Sequence, residues 1–287
     1  MRIVKAYQLH LAENRAGSVV FASPHSGCDY PQSFLESSIL NEHDIRSSED
    51  AFVDRLFADA PALGAPLLVA RSPRAFIDLN RGREELDPGL ISGIRRRMQN
   101  PRIASGLGVI PRVVSNGRAI YRRKITLAES EARIRAHWVP YHAALERLLK
   151  ETRTACGEAI LIDCHSMPSE AIESIRTTSG TTPDVVLGDR YGSAARPDIV
   201  EQIEAAFASA GFQVARNTPF AGAFIAQHYG RPSRNQHVVQ VEINRALYMN
   251  EAEIRPNKSF ESFRGMLNQV IARIIEIGVR KNRLAAE

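Results

Sequence analysis

Ala159-Ile160-Leu161-Ile162-Asp163 is an unbroken apolar run that ends on an acid and passes directly into Cys164-His165. Consecutive apolar residues leave no polar face, so a strand built from them must be covered on both sides, as strands of mainly parallel sheets are. Such a sheet needs partners and crossovers, and the chain offers both. Short β-branched runs at Ser18–Ala22, Leu67–Ala70, Asp184–Leu187, Phe212–Ala215 and Val238–Ile243 read as further strands, and Ala75–Leu79 alternates like another. Helical spacing joins Phe52, Val53, Leu56, Phe57 and Ala60 ahead of Pro61. A longer stripe (Leu127, Ile134, Trp138, Tyr141, Leu145, Leu148) follows Thr126, a good N-cap. Ile199, Ile203, Phe207 and Ala210 lie between Pro197 and Gly211, the expected first and last residues of a helix. Phe260, Phe263, Leu267, Val270, Ile271 and Ile274 form the last stripe. Strand–helix alternation of this kind predicts an α/β fold with a mainly parallel sheet flanked by helices.

The 287 residues fit one domain spanning 1–287. Residues 80–123, rich in Gly, Pro and Arg, form a long excursion, and long loops inside compact domains are usually functional. Apolar and charged fractions of 44% and 24% exclude a disordered or fibrous chain. No apolar run approaches a bilayer span, and Met1–Leu11 lacks the apolar core of a signal peptide, so a soluble, cytoplasmic protein is expected. Three cysteines without C-x-x-C spacing agree with a reducing compartment. The formal charge of +5 includes the runs Arg95-Arg96-Arg97 and Arg122-Arg123-Lys124. Without interleaved aromatics these read as solvated loops rather than a nucleic-acid surface.

Ligands of open α/β sheets bind beyond the carboxyl ends of the strands. His25 follows the first predicted strand, His165 ends the Ala159 run and Glu242 lies near the end of the Val238 run. Two imidazoles at buried strand ends suit a catalytic metal, which takes three protein ligands and keeps one position open. The third ligand has three candidates: Cys28, Glu49 and Asp50. Ser47-x-x-Asp50 also reads as a capping box, and Cys28 as a small apolar thiol. Glu242, flanked by Val241 and Ile243, is costly to bury and suits a general base, or else pairs with Arg245. Arg81, after Asp78-Leu79-Asn80, presents a fork for a substrate carboxylate or pairs with Asp78.

Four ordered segments carry a resemblance: Ser23-Pro24-His25-Ser26-Gly27 with Tyr30-Pro31; Asp78-Leu79-Asn80-Arg81; Asp163-Cys164-His165-Ser166-Met167-Pro168; and Gln240-Val241-Glu242-Ile243-Asn244-Arg245. With Pro140-Tyr141-His142 and Pro219-Phe220-Ala221-Gly222 between them, they resemble the N-formylglutamate amidohydrolase family over roughly Ser18 to Phe263. That family is similar to the zinc carboxypeptidase-like amidohydrolases. The resemblance implies a mixed, mainly parallel sheet in a three-layer, zinc-exopeptidase-like α/β fold. It implies Zn2+, or another divalent metal such as Mn2+ or Co2+, on His25, His165 and Asp50, with Glu242 as base. It also implies Asn80, Arg81 and Arg245 as substrate-binding residues, a small N-acyl amino acid as substrate and a role in histidine degradation. The carboxypeptidase-like relatives carry Glu three residues after the first histidine, where this chain has Cys28, so its acidic ligand comes from elsewhere.

Two other classes fit parts of the pattern. An idle amidohydrolase scaffold that only binds acidic amino-acid derivatives would have no use for Glu242. A cysteine hydrolase would pair Cys28 with His25, although Asp29 beside the thiol disfavours the thiolate.

Overall fold

The apolar run at Ala159 opens a strand buried along its whole length, Ala159–Met167, in a computed structural model of the chain. The structure describes residues 6–94, 101–114, 117–177 and 180–284, the last five as backbone only. The Arg95-Arg96-Arg97 run lies outside the described residues, whereas Arg122, Arg123 and Lys124 are exposed.

Seven strands form one sheet: β1 (Tyr7–His10), β2 (Val19–Ser23), β3 (Leu67–Ala70), β4 (Ala159–Met167), β5 (Val185–Gly188), β6 (Val214–Arg216) and β7 (Gln236–Asn244). Their spatial order is β1-β3-β2-β4-β7-β5-β6. β2 and β7 run parallel to β4, and β6 parallel to β5, while β5 and β7 are antiparallel. The sheet is therefore mixed and mostly parallel, the α/β class expected. β4 and β7 are matched over nine residues, from Ala159↔Gln236 to Met167↔Asn244.

Contacts gather the chain into two compact units. One holds residues up to Gln8, Pro24–Ala51 and Val69–Ala144; the other holds Leu9–Ser23, Phe52–Leu68 and Leu145 onward. All seven strands have residues in the second unit. There the helix Pro197–Ser209 packs on the helix Phe260–Leu284, which also meets β2. Gly211 takes the left-handed φ of +92° expected just past the first of these helices.

The first unit is mostly turns around an aromatic core. Arg133, only 6% exposed, lies over the Phe76 ring at 4.2 Å and near Phe34 and Tyr121. Thr126 caps the helix that follows it, accepting from the Glu129 N–H at 3.1 Å. That helix is α-helical over Leu127–Arg133 and again over Val139–Cys156, with a π-helical turn at Ile134–Trp138 between.

Two expectations are corrected. Ala75–Leu79 is not a strand: the Phe76 and Ile77 N–H groups fold back on the Pro73 carbonyl at 2.9 and 3.2 Å, and Asp78 N–H donates to Val109. Burial on several sides imitates the alternation of a sheet face. The helix expected over Phe52–Ala60 is α-helical only at Val53–Leu56: left-handed Phe52, at φ +67°, stands before it, and beyond it the Ala58 and Ala60 N–H groups turn to carbonyls three residues back. Among the described residues, no helix is long and apolar enough to cross a membrane.

Candidate active site at the strand ends

β2 and β4 pair with Ala22 opposite Asp163, so the residues just beyond Ser23 emerge where β4 reaches His165. His25, Asp50 and His165 are 1%, 1% and 2% exposed, and one ligand atom from each lies within 4.8 Å of the others. His25 Nδ1 faces Asp50 Oδ2 at 3.5 Å, and the Asp50 N–H donates to the His25 carbonyl at 3.1 Å. Each imidazole is backed by a second buried aspartate. His25 Nε2 meets Asp78 Oδ1 at 2.7 Å, and His165 Nε2 meets Asp163 Oδ2 at 3.1 Å. Burial alone would raise the Asp78 carboxyl, but His25, Arg81 and Arg74 together hold it well below the usual carboxylate range.

This donor set fits a divalent metal. Two imidazoles and a carboxylate are a ligand set used by hydrolytic zinc sites in general, and ligating histidines commonly turn their other nitrogen to a carboxylate. The competing third ligands are placed differently. Both Glu49 oxygens accept from Arg46, each at 3.0 Å, and Oε1 also takes the Tyr30 hydroxyl at 2.6 Å. Cys28 is exposed and outside the cluster. At the proposed capping box, Ser47 Oγ donates to the Asp44 carbonyl and the Asp50 N–H donates to the His25 carbonyl.

Glu242 sits on β7 directly opposite His165 on β4. Residues paired across a parallel ladder share a face, so both side chains leave the sheet on the same side. Gln240, two residues earlier on that face, donates from Nε2 to Glu242 Oε1 at 2.8 Å. Arg245 follows the strand, and its Nε donates to Ser166 Oγ at 3.2 Å.

Asn80 and Arg81 are buried. Arg81 is held by backbone rather than by Asp78: Nε donates to the Leu107 carbonyl at 3.0 Å and Nη1 to the Asn80 carbonyl at 2.8 Å. Asp78 pairs instead with Arg74 Nε at 3.2 Å, and Arg74 Nη1 lies 4.0 Å from Asp50. Beneath this turn, Trp138 Nε1 donates to the Arg81 carbonyl and His142 Nε2 meets the Leu79 carbonyl, both at 2.9 Å. Three successive carbonyls, Leu79 to Arg81, are thereby held by side chains.

Sequence reasoning did not assign Asp163, Arg74, Gln240 or Trp138 a role, and it read Asp78 only as a partner for Arg81. A signal existed for two of them. Asp163 and Gln240 each precede a candidate functional residue by two, and on a strand that spacing means the same face. Arg74 and Trp138 come from turns and a helix whose approach no local pattern encodes.

The family model for N-formylglutamate amidohydrolase matches residues 17–249. An N-formylglutamate deformylase of Pseudomonas aeruginosa is 30% identical over 236 residues, 81% of this chain and 82% of its own. One of Pseudomonas putida is 28% identical over 238 residues, 82% and 83% of the two chains. The crystal structure of an N-formylglutamate amidohydrolase from Ralstonia eutropha superposes with a TM-score of 0.89 at 34% identity, covering 96% of this chain and 99% of that one. With the match spanning most of its length, the chain belongs to the N-formylglutamate amidohydrolase family.

Proposed function

We propose that this protein hydrolyses the amide bond of N-formyl-L-glutamate, or of a related N-acyl acidic amino acid, releasing formate and L-glutamate. His25, Asp50 and His165 would hold the metal, Zn2+ by their donor types, with Mn2+ or Co2+ as alternatives. Such an ion, when bound, would supply Lewis acidity, bringing the pKa of a nearby water toward about 7 and polarising a carbonyl oxygen. Glu242 accepts the proton of the attacking water and delivers it to the departing amine. Arg74, 4.0 Å from Asp50, contributes positive charge as the tetrahedral oxyanion develops. Asn80, Arg81 and Arg245 take the substrate carboxylates, and the backbone anchoring of Arg81 limits the side-chain entropy lost on binding.

The observation that carries this reading is the convergence of His25, Asp50 and His165, with Glu242 in register with His165, in a chain of this family. The test is a panel of N-formyl, N-acetyl and N-succinyl derivatives of Glu, Asp and Gln, assayed with zinc, manganese and cobalt. N-formyl-L-glutamate should turn over fastest, with activity lost to a chelator and restored by added metal. No turnover of any member with any metal would overturn the reading.

A further inference from the structure

Gln240 is 4% exposed, and its amide has only one workable orientation. The Ala223 N–H points at it from 3.1 Å and can only donate, so the atom facing Ala223 is Oε1. Nε2 must then face Glu242 Oε1, at 2.8 Å. Flipping the amide would set N–H against N–H and oxygen against carboxylate. The anchor itself is fixed by close backbone approach. Gly188 is the register partner of Gln240 on β5, and a Cβ there would lie 2.7 Å from Ala221 C and Gly222 N. The segment before Ala223 thus crosses directly over Gly188, and the Arg190 N–H pins it by donating to the Ala221 carbonyl at 2.8 Å.

We infer that Gln240 is a positioning residue for the base: it commits Glu242 Oε1 and so sets the plane of the carboxylate. The inference rests on the assignment of Glu242 as base. Gln240 touches neither substrate nor metal in this account, and its effect passes entirely through Glu242.

Gln240→Met keeps length and burial but removes the donor to Glu242, together with the acceptor for the Ala223 N–H. With N-formyl-L-glutamate, kcat should fall roughly tenfold to a hundredfold, because small misplacements of a reacting group carry costs of that order. KM should change less than about threefold, the ordinary scatter of a binding site left intact. The decisive measurement is a cycle with Glu242→Asp, whose carboxylate is withdrawn from Gln240 by one methylene. In that background Gln240→Met should cost no more than about twofold, since residues acting as a unit are non-additive. If Gln240→Met does not fold, Gln240→Asn, an amide one methylene shorter, enters the same cycle. An equal loss in both backgrounds, a loss confined to KM, or a lowered Tm with unchanged kcat would each overturn the inference. Glu242→Gln separates the two levels. Near-complete inactivity there beside an unaffected Gln240→Met sinks the inference alone, whereas full activity sinks the assignment of Glu242 and the inference with it.

Discussion

His165 and Glu242 stand opposite each other on adjacent parallel strands, one a candidate metal ligand and the other the candidate base. Their separation is set by the spacing of the sheet rather than by loops. Glu242→Gln keeps shape and removes proton acceptance, so kcat should fall about 10²- to 10⁴-fold while the melting temperature and metal content hold. Loss of bound metal in that variant would show that Glu242 is a ligand instead.

Purified protein should carry one tightly held divalent ion per chain, and His25→Ala should carry almost none. Asp163→Asn, which keeps His165 but weakens its backing carboxylate, should reduce metal affinity roughly ten- to a hundredfold. Metal analysis after dialysis against a graded chelator measures both. Equal metal content in wild type and His25→Ala would remove the metal site.

Arg81→Lys retains charge but loses the fork and its backbone anchors. A charge-assisted contact of about 1.5–3 kcal/mol corresponds to a loss of ten- to a hundredfold in kcat/KM, larger for N-formyl-L-glutamate than for an analogue with amidated carboxylates. Metal content should not change. Equal losses on both substrates would make Arg81 a structural residue.

His137 gives a pH dependence of stability. Burial, with Arg133 nearby, lowers its pKa in the folded protein, and Ser72 Oγ lies 2.6 Å from its Nδ1. The unfolded chain therefore binds this proton more readily. The contribution is fully present above about pH 6.5 and is lost as pH falls through that value toward the lower folded one. One proton limits the slope to about 1.4 kcal/mol per pH unit. Urea midpoints of wild type and His137→Gln between pH 8 and 5 should diverge at the low end, with the variant flatter. Parallel curves would refute this.

The parts of the fold legible in the sequence are those where one local pattern has one meaning. Ala159–Ile162 is apolar on both faces and could be little else than a central strand. Ala75–Leu79 misleads because burial in a knot of turns produces the same alternation as a sheet face. β1 escapes notice because half-exposed edge strands such as Tyr7–His10 carry little apolar signal. In the site, His25, His165 and Glu242 are visible from their strand ends. From the sequence, Asp50 is preferred to Glu49 only through the family resemblance; what no local pattern carries is that Arg46 and Tyr30 engage Glu49.

The π-helical turn at Ile134–Trp138 means that this helix contains one residue more than an α-helical course would use. Wound as a plain α-helix, the same residues would carry everything after the turn about 100° out of phase with everything before it. Arg133 would stay over Phe76, while Trp138 and His142 would swing off the carbonyls of Arg81 and Leu79. By absorbing the extra residue, the π turn keeps two anchoring tasks in phase, one that holds the aromatic core and one that holds the Asn80–Arg81 turn. A change that straightened the turn while keeping every residue should leave the core around Arg133 in place but free the Asn80–Arg81 turn from its side-chain anchors.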